Sequence, residues 1–194
     1  MTGFLNSLPT PLCAASRQFF AVWDRWRGSR ALPERRAVRL DDLGPLAASH
    51  IITEFRSREE IPILSVGPRL AEYIGIDLTG YNYLDLTSPE NRSLRAKLTL
   101  EQILQPCGFM LYYWLRYADG TIVPFEFVGA PFCEDGASTP NLFISCGTPL
   151  SRLKSQTAAD PESWQIGEAM RFIDLGFGIP PADPSTPQHI LRAV

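Results

Sequence analysis

The sequence predicts an α+β domain built on an antiparallel sheet. Three observations carry this expectation. Two β-prone stretches, 50–56 and 61–66, are joined by a charged turn at 57–60. A run of helical segments follows. Three more β-prone stretches then come in succession, 109–117, 121–132 and 141–147, and Asp119-Gly120 between the first two is a tight-turn signal.

Each element has its own justification. Ser16 is a good N-cap for a helix running to Arg27 before Gly28. Phe19, Val22, Trp23 and Trp26 fall at i, i+3, i+4 and i+7, one apolar face with Phe20 beside it. A 12-residue helix is marginal alone in water, so this face needs a partner surface. Residues 28–39 are polar and basic, and Leu40–Ser49 reads as a short helix containing Pro45. Pro68 starts a helix that Gly75 stops. Residues 76–88 are turn-rich. Pro89–Gln105 reads as the best helix of the middle section, with Leu94, Leu98 and the Ile103/Leu104 pair as its inner stripe, ended by Pro106 and Gly108. After Pro149 the composition shifts. Asp160-Pro161 reads as a helix start, and Ile166, Met170, Ile173 and Phe177 form an apolar stripe toward Gly176 or Gly178. The expected organisation is a loose arm at 1–15, a domain at 16–150, and a linker, helix and Pro-rich tail at 151–194, with Pro180, Pro181, Pro184 and Pro187 in the tail.

Alternation assigns the sheet faces. On the third strand Phe109, Leu111, Tyr113, Leu115 and Tyr117 share the side expected to meet the helices. Met110, Tyr112, Trp114 and Arg116 share the other. On the next strand Val123, Phe125 and Phe127 point inward, and Ile122, Pro124 and Glu126 outward. The outer face is therefore also apolar, and such a patch marks a contact. Either the Phe19/Trp23/Trp26 helix or a second subunit is expected to cover it.

Composition limits the function. In 194 residues, 45% hydrophobic and 20% charged with net charge −3, nothing attracts the chain as a whole to nucleic acid or an anionic membrane. No apolar run reaches the length of a membrane span. Cys13, Cys107, Cys133 and Cys146 are widely spaced with no export signal, so reduced thiols and a cytoplasmic location are expected. The two histidines, His50 and His189, stand apart from any Cys or acid at dyad spacing. No phosphate-binding, dinucleotide, serine-hydrolase or zinc-protease motif is present, so an enzyme is not expected. Arg25, Arg27, Arg30, Arg35, Arg36 and Arg39 form a basic run that would suit an acidic protein surface.

The element order, with Leu70-Ala-Glu-Tyr-Ile-Gly75, Leu78-Thr-Gly80, Tyr83-Leu-Asp-Leu86 and the Asp119-Gly120 hairpin, resembles the PAS fold. Trp23, Arg27-Gly28-x-Arg30, Leu32-Pro33 and Arg35 resemble the W-x-x-x-R-G-x-R-x-L-P-x-R opening of a family of small bacterial PAS proteins, best known in alphaproteobacteria. The resemblance covers residues 19–150. It implies a five-stranded antiparallel sheet in the order 2-1-5-4-3, with short helices on one face and the N-terminal helix flanking the other. It also implies a signalling module working by protein–protein contact, linked to a sensor kinase or another regulator and forming a homodimer. With no output domain in the chain, the output is expected in trans. The alternative is a sensor holding a small molecule between sheet and helices, with Leu98, Tyr113, Leu115, Phe125 and Phe127 as pocket candidates. Protein-contact candidates are Phe19, Trp23, Trp26, Arg27, Arg30, Arg35, Arg36, Tyr112 and Trp114. No cofactor is expected: the long helix lacks the histidine of haem-binding members, and no reactive-cysteine segment of the flavin photoreceptor type occurs.

Overall fold

The computed structural model describes residues 12–87, 89–117, 119–151 and 169–181. Helix α1 spans Ala14–Arg27. Two 3-10 segments follow, the second over Leu40–Ser49 and broken at Gly44, whose φ of 57° only glycine adopts freely. Strands β1 (His50–Glu54) and β2 (Ile63–Val66) precede helix α2 (Pro68–Ile74), the turn-rich 76–87 segment and helix α3 (Arg92–Leu104). Strands β3 (Gly108–Arg116), β4 (Ile122–Phe132), β5 (Leu142–Pro149) and β6 (Ala169–Ile173) complete the described residues.

Among the described residues the sheet has six strands, ordered β2-β1-β5-β4-β3-β6, and every neighbouring pair is antiparallel. The expected 2-1-5-4-3 order is present, and β6 extends it. That strand corrects the helical reading of the segment from residue 169 on. Met170 and Ile173, three apart, would share a helix face, but on a strand they point to opposite sides. Met170 joins the cluster under α2 and α3, and Ile173 joins the cluster under α1. The free edge of β3 takes up this segment through the Gly108–Tyr112 register. Phe177 lies beyond the strand, in a turn whose N–H groups at 176, 177 and 178 donate to Asp174 Oδ1. Within the stretch read as a tail, Pro180 is buried. The expected helix start at 160 and the tail beyond 181 lie outside the described residues, as does the arm up to residue 11.

Smaller differences have local causes. Cys13, not Ser16, caps α1, accepting the Ser16 N–H on its sulfur, while Ser16 itself is buried. Pro89–Asn91 forms a 3-10 turn before α3. Leu104 does not belong to the inner stripe, since it is 76% exposed. Leu94, Leu98 and Gln102 follow one another at i+4, and Leu104 falls on the far side of the helix.

Two apolar layers sandwich the sheet. Phe19, Phe20, Trp23 and Trp26 of α1 pack on the outer face against Met110, Val128, Ala130, Phe132 and Ile144. The Trp23 indole N–H donates to Pro131 O at 3.0 Å, and that of Trp26 to Asp42 at 2.8 Å. Leu70, Ile74, Leu78 and Leu98 cover the inner face against Leu111, Leu115, Val123, Phe125 and Phe127. The face assignment made from alternation holds, and the N-terminal helix flanks the outer side as expected.

Candidate functional site: a cavity on the inner sheet face

Two glycines shape the floor of the site. Gly129 of β4 stands opposite Phe109, and Gly147 of β5 opposite Phe127. A Cβ at Gly147 would lie 2.2 Å from the Phe127 ring, and one at Gly129 would lie 2.4 Å from the Phe109 ring. Both rings therefore lie flat on bare backbone. Ile51, Thr53 and Ser145 continue the floor across β1 and β5, and α2 and α3 form the roof. Between floor and roof lies a cavity of about 140 Å³.

One wall is tied down by Asn82. Its Oδ1 accepts the N–H groups of Ile61 (3.0 Å) and Leu84 (3.2 Å), and its amide donates to Glu59 O at 2.7 Å. This clasp fixes the turn-rich segment to the β1–β2 hairpin and places Tyr83 and Leu86 on the wall. Most of the lining is apolar. Besides Thr53, Thr87 and Ser145, three polar residues come from α3, where Arg95, Thr99 and Gln102 face the cavity with Leu98. The Thr99 hydroxyl donates back to Arg95 O at 3.0 Å and so is spent within the helix. The Gln102 amide donates to Leu98 O at 3.1 Å, while its Oε1 is buried without a partner. The Arg95 guanidinium lies 5.6 Å from the Tyr83 ring centroid and donates to the Tyr83 hydroxyl at 3.0 Å. A second orphaned polar atom, the Tyr117 hydroxyl, sits at the hairpin end of the same face, where burial and then Tyr73 push its phenol up to about 12.

The sequence-derived candidates separate by position. Leu98, Leu115 and Phe127 line the cavity. Phe125 is fully buried, stacks edge-on with Tyr73 at 5.4 Å and fills the adjoining core. Tyr113 sits opposite Phe125 on β3, and its side chain lies outside the described residues. Arg95 and Gln102 were missed. The only available signal was the i+7 spacing of two polar residues on the face that carries Leu98, and polar residues there read as solvent-facing.

The contact candidates lie on the other side of the sheet. Phe19, Trp23 and Trp26 are core residues under α1. The Tyr112 hydroxyl donates at 2.7 Å to Glu126, a buried outer-face carboxylate that also accepts the Cys13 backbone N–H at 3.0 Å, so the start of α1 is anchored to β4. Burial, and then that carboxylate, raise the Tyr112 phenol. Trp114 is half-buried near Ile122, which is exposed. The arginines engage carboxylates of this same chain. Arg27 pairs with Asp24 (2.7 Å) and lies over the Trp23 ring, and Arg35 pairs with Glu134 (2.7 Å). Arg30 and Arg36 both meet Glu34, at 2.7 and 2.5 Å. Glu34 is buried, accepts the Gly136 N–H at 3.3 Å, and sits beside the backbone bonds that join residues 33–35 to Cys133. His50 is buried with its ring nitrogens on Ala47 O (2.6 Å) and Ser65 Oγ (2.7 Å). All four cysteines are free thiols. Among the described residues no cluster of three or more potential metal ligands occurs, and no helix is long and apolar enough to cross a membrane.

No match was found among curated proteins. Similar solved structures include a Rhodobacter sphaeroides LOV protein, with 15% identity and TM-score 0.41, covering 72% of this chain and 71% of that one. Another is the LOV domain of the Erythrobacter litoralis EL346 blue-light-activated histidine kinase, with 20% identity and TM-score 0.37, covering 54% and 96%. A third is Drosophila melanogaster Cycle PAS-B with bound glycerol, with 15% identity and TM-score 0.37, covering 52% and 99%. Residues 13–144, from the cap of α1 to the middle of β5, match the PAS domain family, and the chain belongs to that family.

Proposed function

We propose that this PAS domain is a sensory module that binds a small molecule in its inner-face cavity and passes the bound state to a protein partner. The observation that supports the reading is a preformed space of about 140 Å³ beside the partnerless Gln102 Oε1. A buried acceptor without a donor is costly, and a ligand donor would offset that cost. An engineered apolar cavity of about 150 Å³ binds benzene, so the size suits a single ring. Ligand binding shifts a conformational equilibrium only by its differential affinity for the two states. The segments able to respond are α3 and the Asn82-clasped wall, because each borders the cavity on one side and solvent on the other.

The test is native mass spectrometry of protein purified from its own host, with Leu98→Phe as the filled-cavity control. A retained small molecule, lost in Leu98→Phe, supports the reading. An empty wild type whose melting temperature no member of a broad ligand library raises overturns it.

A protein-contact reading has its own support at the far end of the sheet. Ile122 (51% exposed) and Leu150 (44%) lie beyond α1, close to half-buried Trp114. The Trp23-to-Arg35 opening supports a place among the small bacterial members, and a sensor kinase or other regulator is the partner we propose. Ile122→Glu is expected to remove that partner from a host pull-down while leaving the melt unchanged. A homodimer through the same end would be seen by light scattering as twice the 21.7 kDa chain mass.

A further inference from the structure

Among the described residues, the cavity wall carries a cation with no anion paired to it. Arg95 borders the cavity, and its described contacts are the hydroxyl and the ring face of Tyr83. None of the ion pairs among the described residues involves it. Asp85, on the turn-rich wall, pairs with Arg92. Guanidinium carries five N–H donors in a planar fork, and a single phenolic oxygen leaves most of them available. A fork of this kind matches a carboxylate bidentately. Gln102 lies seven residues further along the same helix face, about 10.5 Å up the axis. It offers the opposite chemistry, an acceptor with no donor. The space between them is walled by Leu98, Leu115 and Phe127 and has the volume of one ring.

We infer that the ligand is a monocyclic aromatic carboxylate with a hydroxyl or N–H at the opposite end of the ring. Its carboxylate pairs with Arg95, its ring fills the apolar space, and its far donor reaches Gln102 Oε1. The Tyr83 hydroxyl, which already accepts from Arg95, holds the guanidinium in place at the wall. This inference rests on the sensor reading above and adds to it the charge and the polarity order of the ligand. An apolar cavity alone would favour a neutral hydrocarbon. The half-buried cation makes the acid the better guest, because a charge-assisted bond to a carboxylate is stronger than one to a neutral partner.

Calorimetric titration of the full chain with 4-hydroxybenzoate, benzoate and phenol tests the idea, against wild type, Arg95→Gln, Arg95→Lys and Gln102→Leu. The expected order for wild type is 4-hydroxybenzoate, then benzoate, then phenol. Arg95→Gln is expected to weaken both acids at least tenfold and to leave phenol within twofold, with Arg95→Lys recovering part of the loss. Gln102→Leu is expected to remove the advantage of 4-hydroxybenzoate over benzoate. A wild type that binds phenol better than either acid overturns the inference and leaves the sensor reading standing. So does an acid affinity unaffected by both Arg95 variants when their melts match wild type. If Arg95→Gln fails to fold, Arg95→Lys and the wild-type ligand order decide. If none of the three compounds binds the wild type, the carboxylate assignment falls. The host-purified mass spectrum then separately decides whether the cavity holds any ligand.

Discussion

The two faces of the sheet are packed to different standards, although both are built mainly from Leu, Ile, Val and Phe. The outer face is closed mainly by α1, with Leu43 and Leu46 of the 40–49 segment beside it; Phe19, Phe20 and Trp23 are completely buried, and the Trp23 indole N–H and the Glu126 carboxylate are each bonded to backbone. The inner face is covered by short helices and turns. It keeps a cavity, two orphaned polar atoms and, on its wall, an arginine with no ion pair among the described residues. A single long amphipathic helix with two tryptophans fills space efficiently, whereas several short segments leave gaps where they meet. Close packing is the norm for protein interiors, so a face that departs from it is where a ligand has room.

The largest expected effect is on the closed face. Trp23→Ala removes the central side chain of that layer and its bond to Pro131 O. It should cost about 3–5 kcal/mol, read as a drop in chemical-denaturation midpoint. Retention of the wild-type midpoint would erase the distinction between the faces. Next is the clasp that holds the segment after α1. Glu34→Ala leaves Arg30, Arg36 and the Gly136 N–H without their shared acceptor and should cost about 1–3 kcal/mol. The arginine ends are more than half exposed, which discounts the charge contribution toward the lower part of that range.

A matched pair of volume increases sharpens the comparison. Ala130→Leu on the outer face has nowhere to put its added carbons and should cost about 1–3 kcal/mol. Leu98→Phe on the inner face expands into existing space and should change stability by less than about 1 kcal/mol in either direction. Equal losses in the two melts would mean that the inner space is not available to side chains. The remaining prediction concerns pH. Burial holds the Cys107 and Cys146 thiols up to about 12, against 9 when unfolded. A group whose folded pKa is raised favours the fold below the unfolded value. Stability from both thiols is therefore complete below pH 9 and is lost as pH climbs toward 12. Melting midpoints taken across that window should fall, and Cys146→Ala should fall less steeply than wild type. Parallel slopes would reject the assignment.

Much of the closed face was legible in the sequence. The i, i+3, i+4, i+7 series in α1 specifies one apolar surface, and the alternation in β3 and β4 leaves an outer sheet face that needs cover; the structure puts the first on the second. The inner face was legible only as apolar. Phe125 and Phe127 read alike in sequence, yet Phe125 fills the core while Phe127 lies flat over Gly147 and lines the cavity. Arg95 carries no sequence signal of its place on the cavity wall, because a helix pattern says which side a residue occupies and not what stands opposite.

Local periodicity and turn chemistry thus determined, from the sequence alone, the element order from α1 to β5, the Asp119-Gly120 hairpin, the sheet faces and the apolar face of α1. These depend on neighbours a few residues away. Tertiary structure decided the rest. The Met170–Ile173 segment satisfies a helical stripe and a strand alternation equally well, and the free edge of β3 settled it as β6. The arginines after α1 found buried and exposed carboxylates up to 99 residues distant. The cavity exists because two glycines on neighbouring strands lie beneath two phenylalanines, a juxtaposition created only when β3, β4 and β5 pair in register.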